Sequence, residues 1–389
     1  MHDHADEWPE LPLEAWLDTY QTLHMWSQIV GKIRLGLAPL QNHWWNVALY
    51  VNARGLTTSA IPYDHNSFEL QFDFLNHQLQ IKTSGGEQRA VPLAPKSVAA
   101  FYRETLAGLR SVGIDVKLNP KPQEVTNPIL FDQDETHASY DPEYANRLWR
   151  ILLSTERVFQ EFRAKFIGKC SPVHFFWGSF DLCCTRFSGR KAPPRKGIIT
   201  SEAYSHECCS LGWWPGGGDV KSPMFYAYMA PEPEGYGSIV ASAPGTYSAP
   251  MHECFLSYDD VRRSSSPRQE ILQFAQETYA SGADLAKWDR AALERNWKGK
   301  TMAENCTHLD EIKVKSTHTH VCEECVKMGD RWVHLRLCLI CGYVGCCDSS
   351  KNKHATKHFQ ATTHPLIRSA ERGESWVWCY VDQVYPMEL

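Results

Sequence analysis

Apolar side chains recur at helical intervals through residues 11–37, at Leu13, Trp16, Leu17, Tyr20, Leu23 and Ile29, and predict one helix. Beyond it the period falls to two. Val47, Leu49 and Val51 alternate with smaller or polar residues, Phe68, Leu70, Phe72 and Phe74 alternate strictly, and Leu79 and Ile81 continue past an Asn76-His77 turn. The pattern predicts a strand-rich stretch from Trp44 to about Pro92, an antiparallel meander with one buried face. Helical period returns over residues 95–112 and 141–166, and Asp141-Pro142 is a fitting start for the second of these. Residues 119–127, with two prolines between those helices, read as a loop. Residues 175–258 are rich in aromatics, glycine and proline and predict short strands joined by long loops; residues 264–289 return to helix. The expected class is α+β, with a mainly antiparallel sheet and packed helices, followed by a small finger.

The run Asn-Trp-Lys-Gly-Lys-Thr-Met-Ala-Glu-Asn at 296–305 is polar and aperiodic. It is the expected linker between a domain at 1–295 and a second at 306–389. The net charge of −5 is spread thinly, about −4 over residues 1–300 and −1 over 301–389, so neither part offers bulk positive charge to nucleic acid. No apolar stretch approaches the ~18 residues needed to cross a bilayer. Met1-His2-Asp3-His4 lacks the basic-then-apolar order of a signal peptide, which makes a cytoplasmic location the default expectation.

Eight of the fourteen cysteines and seven of the seventeen histidines lie after residue 300. Cys322/Cys325 and Cys338/Cys341 have knuckle spacing, and Cys346, His354, His358 and His364 follow. His354 and His358 stand four apart in a stretch of helical composition, so their rings share a face. Eight soft donors are enough for two closed tetrahedral zinc sites. Cys306 and His308 seed a third, which Cys379 and Asp382 would complete, since carboxylate oxygen also binds zinc. Filled sites with no open position favour structural over catalytic metal. Cys347 is surplus, though a swap with Cys346 stays open. Spacing alone does not choose between sequential and interleaved sites.

From Cys306 to Tyr385 the chain resembles the ubiquitin-specific-protease-type (UBP) zinc finger. C-x-H, C-x-x-C, C-x-x-C-x4-C, H-x3-H-x5-H-P-L and W-C-Y occur in that order. The resemblance implies cross-bracing: one ion on Cys322, Cys325, Cys346 and His354, the next on Cys338, Cys341, His358 and His364, and a third on Cys306, His308, Cys379 and Asp382. The family usually has cysteine at the last position. It also implies a groove that grips the free C-terminal Gly-Gly of ubiquitin, with Trp332, Trp378, Tyr380 and Tyr385 as aromatic walls. The family's carboxylate-reading arginine falls on Asp348, whose charge repels a ligand carboxylate. Arg336, Lys351 and Lys353 are the candidate replacements, and residues 334–337 look like an insertion relative to the family.

Residues 10–295 resemble a bacterial domain family of unknown function, through T-S-A-I-P-Y from Thr58, F-E-L-Q-F-D-F, H-F-F-W-G-S-F-D-L and W-W-P-G-G-G. Two segments there suit a pocket. His174 to Asp181 sets polar groups among aromatics, and Glu202, Tyr204, His206 and Glu207 precede Trp213-Trp214. His174, His206 and Glu207 together would suit one divalent metal. Asp64-His65 reads as a turn, Gly216–Gly218 lacks the strand–helix context of a phosphate loop, and Trp177-Gly178-Ser179-Phe180 lacks the second glycine of a nucleophile elbow. The leading expectation is a zinc-binding protein whose finger recognises a peptide or protein tail, with neither nucleic acid nor membrane as partner. The alternative is a hydrolase- or transferase-like enzyme with its site in the N-terminal part and the finger used for targeting.

Overall fold

A computed structural model describes residues 7–218, 220–240, 245–295, 306–317, 319–371, 374 and 376–382. Tyr385 and the linker at 296–305 lie outside the described residues. The chain divides into two compact units, Met1–Arg295 and Asn296–Leu389. Each is mixed α+β with antiparallel sheets.

In the first unit, helix α1 (Leu13–Leu37) is buried over much of its circumference. Leu17, placed by its period on the inner stripe, is 38% exposed, whereas Gln28, Lys32 and Arg34 are buried. These polar groups serve neighbouring backbone. Lys32 donates to the carbonyls of Asn119 and Lys121, and Arg34 Nε donates to that of Asn46 at 2.8 Å. Lys32 and Arg34 thus find acceptors for their buried charges, which burial demands. Gly31 leaves room for the indole of Trp177, since a Cβ there would fall 2.1 Å from its Cδ1.

The meander forms β1 (Tyr50–Asn52), β2 (Gly55–Thr57), β3 (Ile61–Tyr63), β4 (Asn66–Asp73), β5 (Gln78–Thr83) and β6 (Gln88–Pro92). They pair in the order β1-β2-β4-β5-β6, with β3 also on β4. Phe68, Leu70 and Phe72 of β4 are buried in the core with Leu79 and Ile81 of β5. The sheet starts later than the alternation suggests, because His43 and Trp44 have φ of 56° and 61° inside a short 3-10 turn. Helix α2 (Val98–Ser111) is capped by the Ser97 hydroxyl, which accepts from the Ala100 amide. In helix α3 (Pro142–Ala164), Asp141 caps the first turn and Pro142 opens it.

A second six-stranded sheet runs β11-β12-β10-β9-β8-β7. Its strands are β7 (His174–Phe176), β8 (Asp181–Lys191), β9 (His206–Trp214), β10 (Met224–Ala230), β11 (Thr246–Ser248) and β12 (Glu253–Ser257). β8 has 11 residues and β9 has 9, longer than the short strands predicted. Helices α3 and α4 (Pro267–Leu285) pack on one face of this sheet.

The second unit holds helix α5 (Glu323–Met328), helix α6 (His354–Thr362) and a sheet ordered β14-β13-β15-β16. Its strands are β13 (Leu335–Cys338), β14 (Val344–Cys346), β15 (Leu366–Ser369) and β16 (Val377–Cys379). The segment 334–337 that looked like an insertion therefore builds most of an inner strand. Leu335, Leu337, Leu366 and Val377 form a small core of their own.

Candidate metal centre

Secondary structure in the finger exists largely to aim donors. Cys322 sits at the N-cap of α5 and Cys325 in its first turn; Cys346 ends β14 and His354 opens α6. One ligand atom from each of these four lies within 4.8 Å of the others. Within that quartet His354 Nδ1 is 3.2 Å from Cys322 Sγ, 3.4 Å from Cys325 Sγ and 3.5 Å from Cys346 Sγ, and the Cys325 and Cys346 sulfurs are 3.7 Å apart. Tetrahedral zinc with ordinary bond lengths has edges of about 3.5–3.8 Å between such donors. The His354 amide points at Cys346 Sγ from 3.3 Å, and Asn352 Nδ2 at Cys325 Sγ from 3.6 Å, an outer shell suited to thiolate.

A second quartet joins Cys338, Cys341, His358 and His364. Cys338 Sγ lies 3.5 Å from His364 Nδ1, Cys341 Sγ 3.3 Å from His358 Nε2, and the two ring nitrogens 3.3 Å apart. The His358 ring stacks on Tyr343 at 4.2 Å, whose hydroxyl donates to Glu324. Burial and the crowding of one thiol by another push Cys322 up to about 12 and Cys338 to about 11. A divalent cation among them reverses that sign, because it favours the thiolate.

The third quartet is Cys306, His308, Cys379 and Asp382. Here Cys379 Sγ is 3.6 Å from His308 Nδ1 and 3.5 Å from Asp382 Oδ2, but Nδ1 and Oδ2 are only 2.8 Å apart. That is a hydrogen-bond length, and a shared zinc would widen it by about 0.5 Å. Cys347 joins none of the quartets; its sulfur faces Ser350 Oγ at 3.5 Å.

Of the aromatic positions, Tyr380 packs against α6. The Tyr380 ring stacks on Phe359 at 4.5 Å, and its hydroxyl is 3.1 Å from that of Thr356, which donates to Asp348. Trp378 pairs with Ile367 on the same sheet face. Arg336 lies on that face too, opposite Ser369, with its guanidinium 4.5 Å from the ring centre of Trp376. Burial raises the Tyr380 phenol, and the Thr356 hydroxyl contact opposes the rise. Lys351 is paired with Asp330 at 3.0 Å, and Lys353 is exposed at the start of α6. Trp332 packs, partly buried, against the finger core.

In the first unit the proposed trio does not meet. His174 is on β7; His206 faces the His43 ring at 5.7 Å, and Glu207 pairs with Arg190 at 2.6 Å. Adjacent residues on a strand point to opposite faces, so His206 and Glu207 were bound to part. Glu202 accepts from the His43 amide at 2.9 Å, and Tyr204 meets Tyr228. Asp64-His65 is a turn.

A model described as a family of unknown function (DUF5996) matches residues 8–295. The chain belongs to that family. This DUF5996 member carries a second match at 322–387, to the zinc finger in ubiquitin-hydrolases and other proteins. Together with the donor quartets, that match makes the C-terminal unit a UBP-type finger that binds zinc. A solution NMR structure of protein RPA1320 from Rhodopseudomonas palustris shares 51% identity with the DUF5996 member, over 21% of this chain and 80% of that one, at a TM-score of 0.20. No curated protein matches.

Proposed function

We propose that the finger is a zinc-held module that seats the C-terminal tail of a peptide or protein, joined by the segment 296–305 to the domain at 1–295. The three quartets are its ligand sets, with the His–Asp contact of 2.8 Å making the third the weakest holder. Closed Cys/His sets give zinc a structural role. Trp378 and Tyr380 wall the groove, and Trp332 and Tyr385 extend it by resemblance to the family.

The observation that carries the reading is Arg336, which lies over the Trp376 ring and on the same sheet face as Trp378. Its Nη1 donates to the Leu335 carbonyl at 2.9 Å and reaches Ser369 Oγ at 3.4 Å. That anchoring fixes a planar cation where a tail carboxylate needs one. Asp348 disfavours the carboxylate at its own position, so the charge is read from the next strand instead. The test compares a peptide ending in free Gly-Gly with its C-terminal amide by fluorescence anisotropy. The free acid binds about tenfold tighter, and Arg336→Ala erases the difference. Equal affinities in the native protein would remove carboxylate reading.

A further inference from the structure

The second sheet of the first unit ends in a cavity that tail binding does not use. Strands β8 and β10 end there and β9 begins, beside Ala286, the C-cap of α4. The cavity measures about 190 Å³. Met229, Ala230, Pro231, Pro233 and Trp288 give it an apolar lining. Of these, Met229, Ala230 and Trp288 are buried, so the walls belong to the body of the domain. At ~30 Å³ for each water molecule, the space suits a ligand of about six heavy atoms. The β9–β10 register, with Ala230 opposite Cys208, brings Glu207 alongside the Pro231-Glu232 step. Both glutamates line the cavity, as does Arg190.

Charge in this cavity does not cancel. The Arg190 guanidinium is fully engaged: Nε and Nη2 donate to Glu207 Oε2 at 2.9 and 2.6 Å, Nη2 to the Ala286 carbonyl at 2.6 Å, and Nη1 to that of Lys287 at 3.3 Å. It therefore serves the negative end of α4 as well as one carboxylate oxygen. Ser188 donates to the same Oε2 at 3.0 Å, and Glu207 Oε1 accepts from none of the described residues. Glu232 takes the Tyr247 hydroxyl on Oε1 at 2.8 Å. Its Oε2 faces Nδ1 of His252 at 3.2 Å, a side chain that is 71% exposed and outside the lining. Two carboxylates against one guanidinium leave the lining one negative charge in surplus, and each carboxylate oxygen takes two hydrogen bonds. An anion finds no open donor here, and a hard divalent cation finds too few oxygens among apolar walls. An ammonium on a short alkyl stem suits both halves, with N–H donors for the carboxylates and methylenes for the apolar lining.

We propose that this cavity binds a small primary alkylamine as its ammonium ion, the nitrogen held by Glu207 Oε1 and Glu232 and the stem against the apolar lining. The test titrates the full-length, zinc-loaded protein with ethylamine, butylamine and ethanolamine, with butanol and butyrate as neutral and anionic counterparts. Saturation-transfer NMR and calorimetry read the binding. At least one amine binds saturably, and butanol and butyrate bind about tenfold more weakly or not at all. Glu232→Gln, which keeps the shape and removes the surplus charge, weakens the amine about tenfold. Ala286→Leu, which fills the cavity and keeps its charges, abolishes binding in protein that still unfolds cooperatively. Arg336→Ala leaves amine binding unchanged, which separates this cavity from the finger. Silence across the amines, butanol binding as tightly as butylamine, preference for butyrate, or native affinity in both cavity variants would overturn the proposal.

Discussion

The two units use cysteine in opposite ways. In the finger, sulfur atoms converge with imidazoles on shared points. In residues 1–295 the six cysteines (170, 183, 184, 208, 209 and 254) include five that are buried, and none joins a donor quartet among the described residues. Burial is the main cause of raised thiols in both: it pushes Cys208 and Cys254 up to about 12 in the first unit and Cys322 to about 12 in the finger, where neighbouring thiols add to the rise. The adjacent pairs 183/184 and 208/209 lie on strands, where consecutive side chains point to opposite faces and cannot grip one ion. Cys322 and Cys325 bracket a helix start, where the chain bends both onto one point. Spacing and local backbone together decide whether a thiol is a ligand or a filler.

Metal removal tests that contrast most severely. A strong chelator should unfold the finger, a loss on the order of 10 kcal/mol, and leave the first unit protected in hydrogen exchange. Protection retained in both units would mean zinc does not hold the finger together. A smaller effect belongs to the first unit and to pH. Burial, with Arg34 and Arg163 nearby, lowers His174 to about 3 from 6.5. The unfolded chain therefore binds the extra proton between those values, and stability present above pH 6.5 drains as pH falls towards 3. Asp181, raised by burial from 3.8 to about 6, runs the other way and loses stability as pH rises through that window. Comparing His174→Gln with the native protein cancels the Asp181 contribution. Between pH 6.5 and 4 the variant should lose about 3 kcal/mol less in urea unfolding, and parallel slopes would refute the buried neutral histidine. The smallest change is Cys209→Ala, which should cost the first unit about 1 kcal/mol and leave zinc content by mass spectrometry unaltered. A drop in zinc would place a ligand where the comparison says there is filler.

How much could be read beforehand followed the same division. The Cys and His spacing carried the finger because donor geometry is set by a few local turns. The cap at Asp141, the strict alternation from Phe68 and the turn at Asn76-His77 were likewise local, and the elements formed close to their predicted limits. What escaped depended on distant partners. Lys32 and Arg34 look like solvent-facing helix residues until the loop at 119–121 and Asn46 supply their acceptors. Arg336 gains its meaning only when the sheet sets it beside Trp376, 40 residues later in the chain. The aromatic motif around His174 does not meet His206 and Glu207, since no period reports which strands become neighbours. Gly212 carried no signal, because its role is to yield space to Tyr226.

Because the first and second donor quartets alternate along the chain, Cys322 and Cys325 with Cys346 and His354, and Cys338 and Cys341 with His358 and His364, each ion closes a loop that contains part of the other's. Neither loop can be let go without slackening its companion. Loading should then be an all-or-nothing event, with singly occupied protein scarce during titration, and a cell short of zinc would hold a mixture of whole fingers and unravelled ones rather than a population of half-built forms.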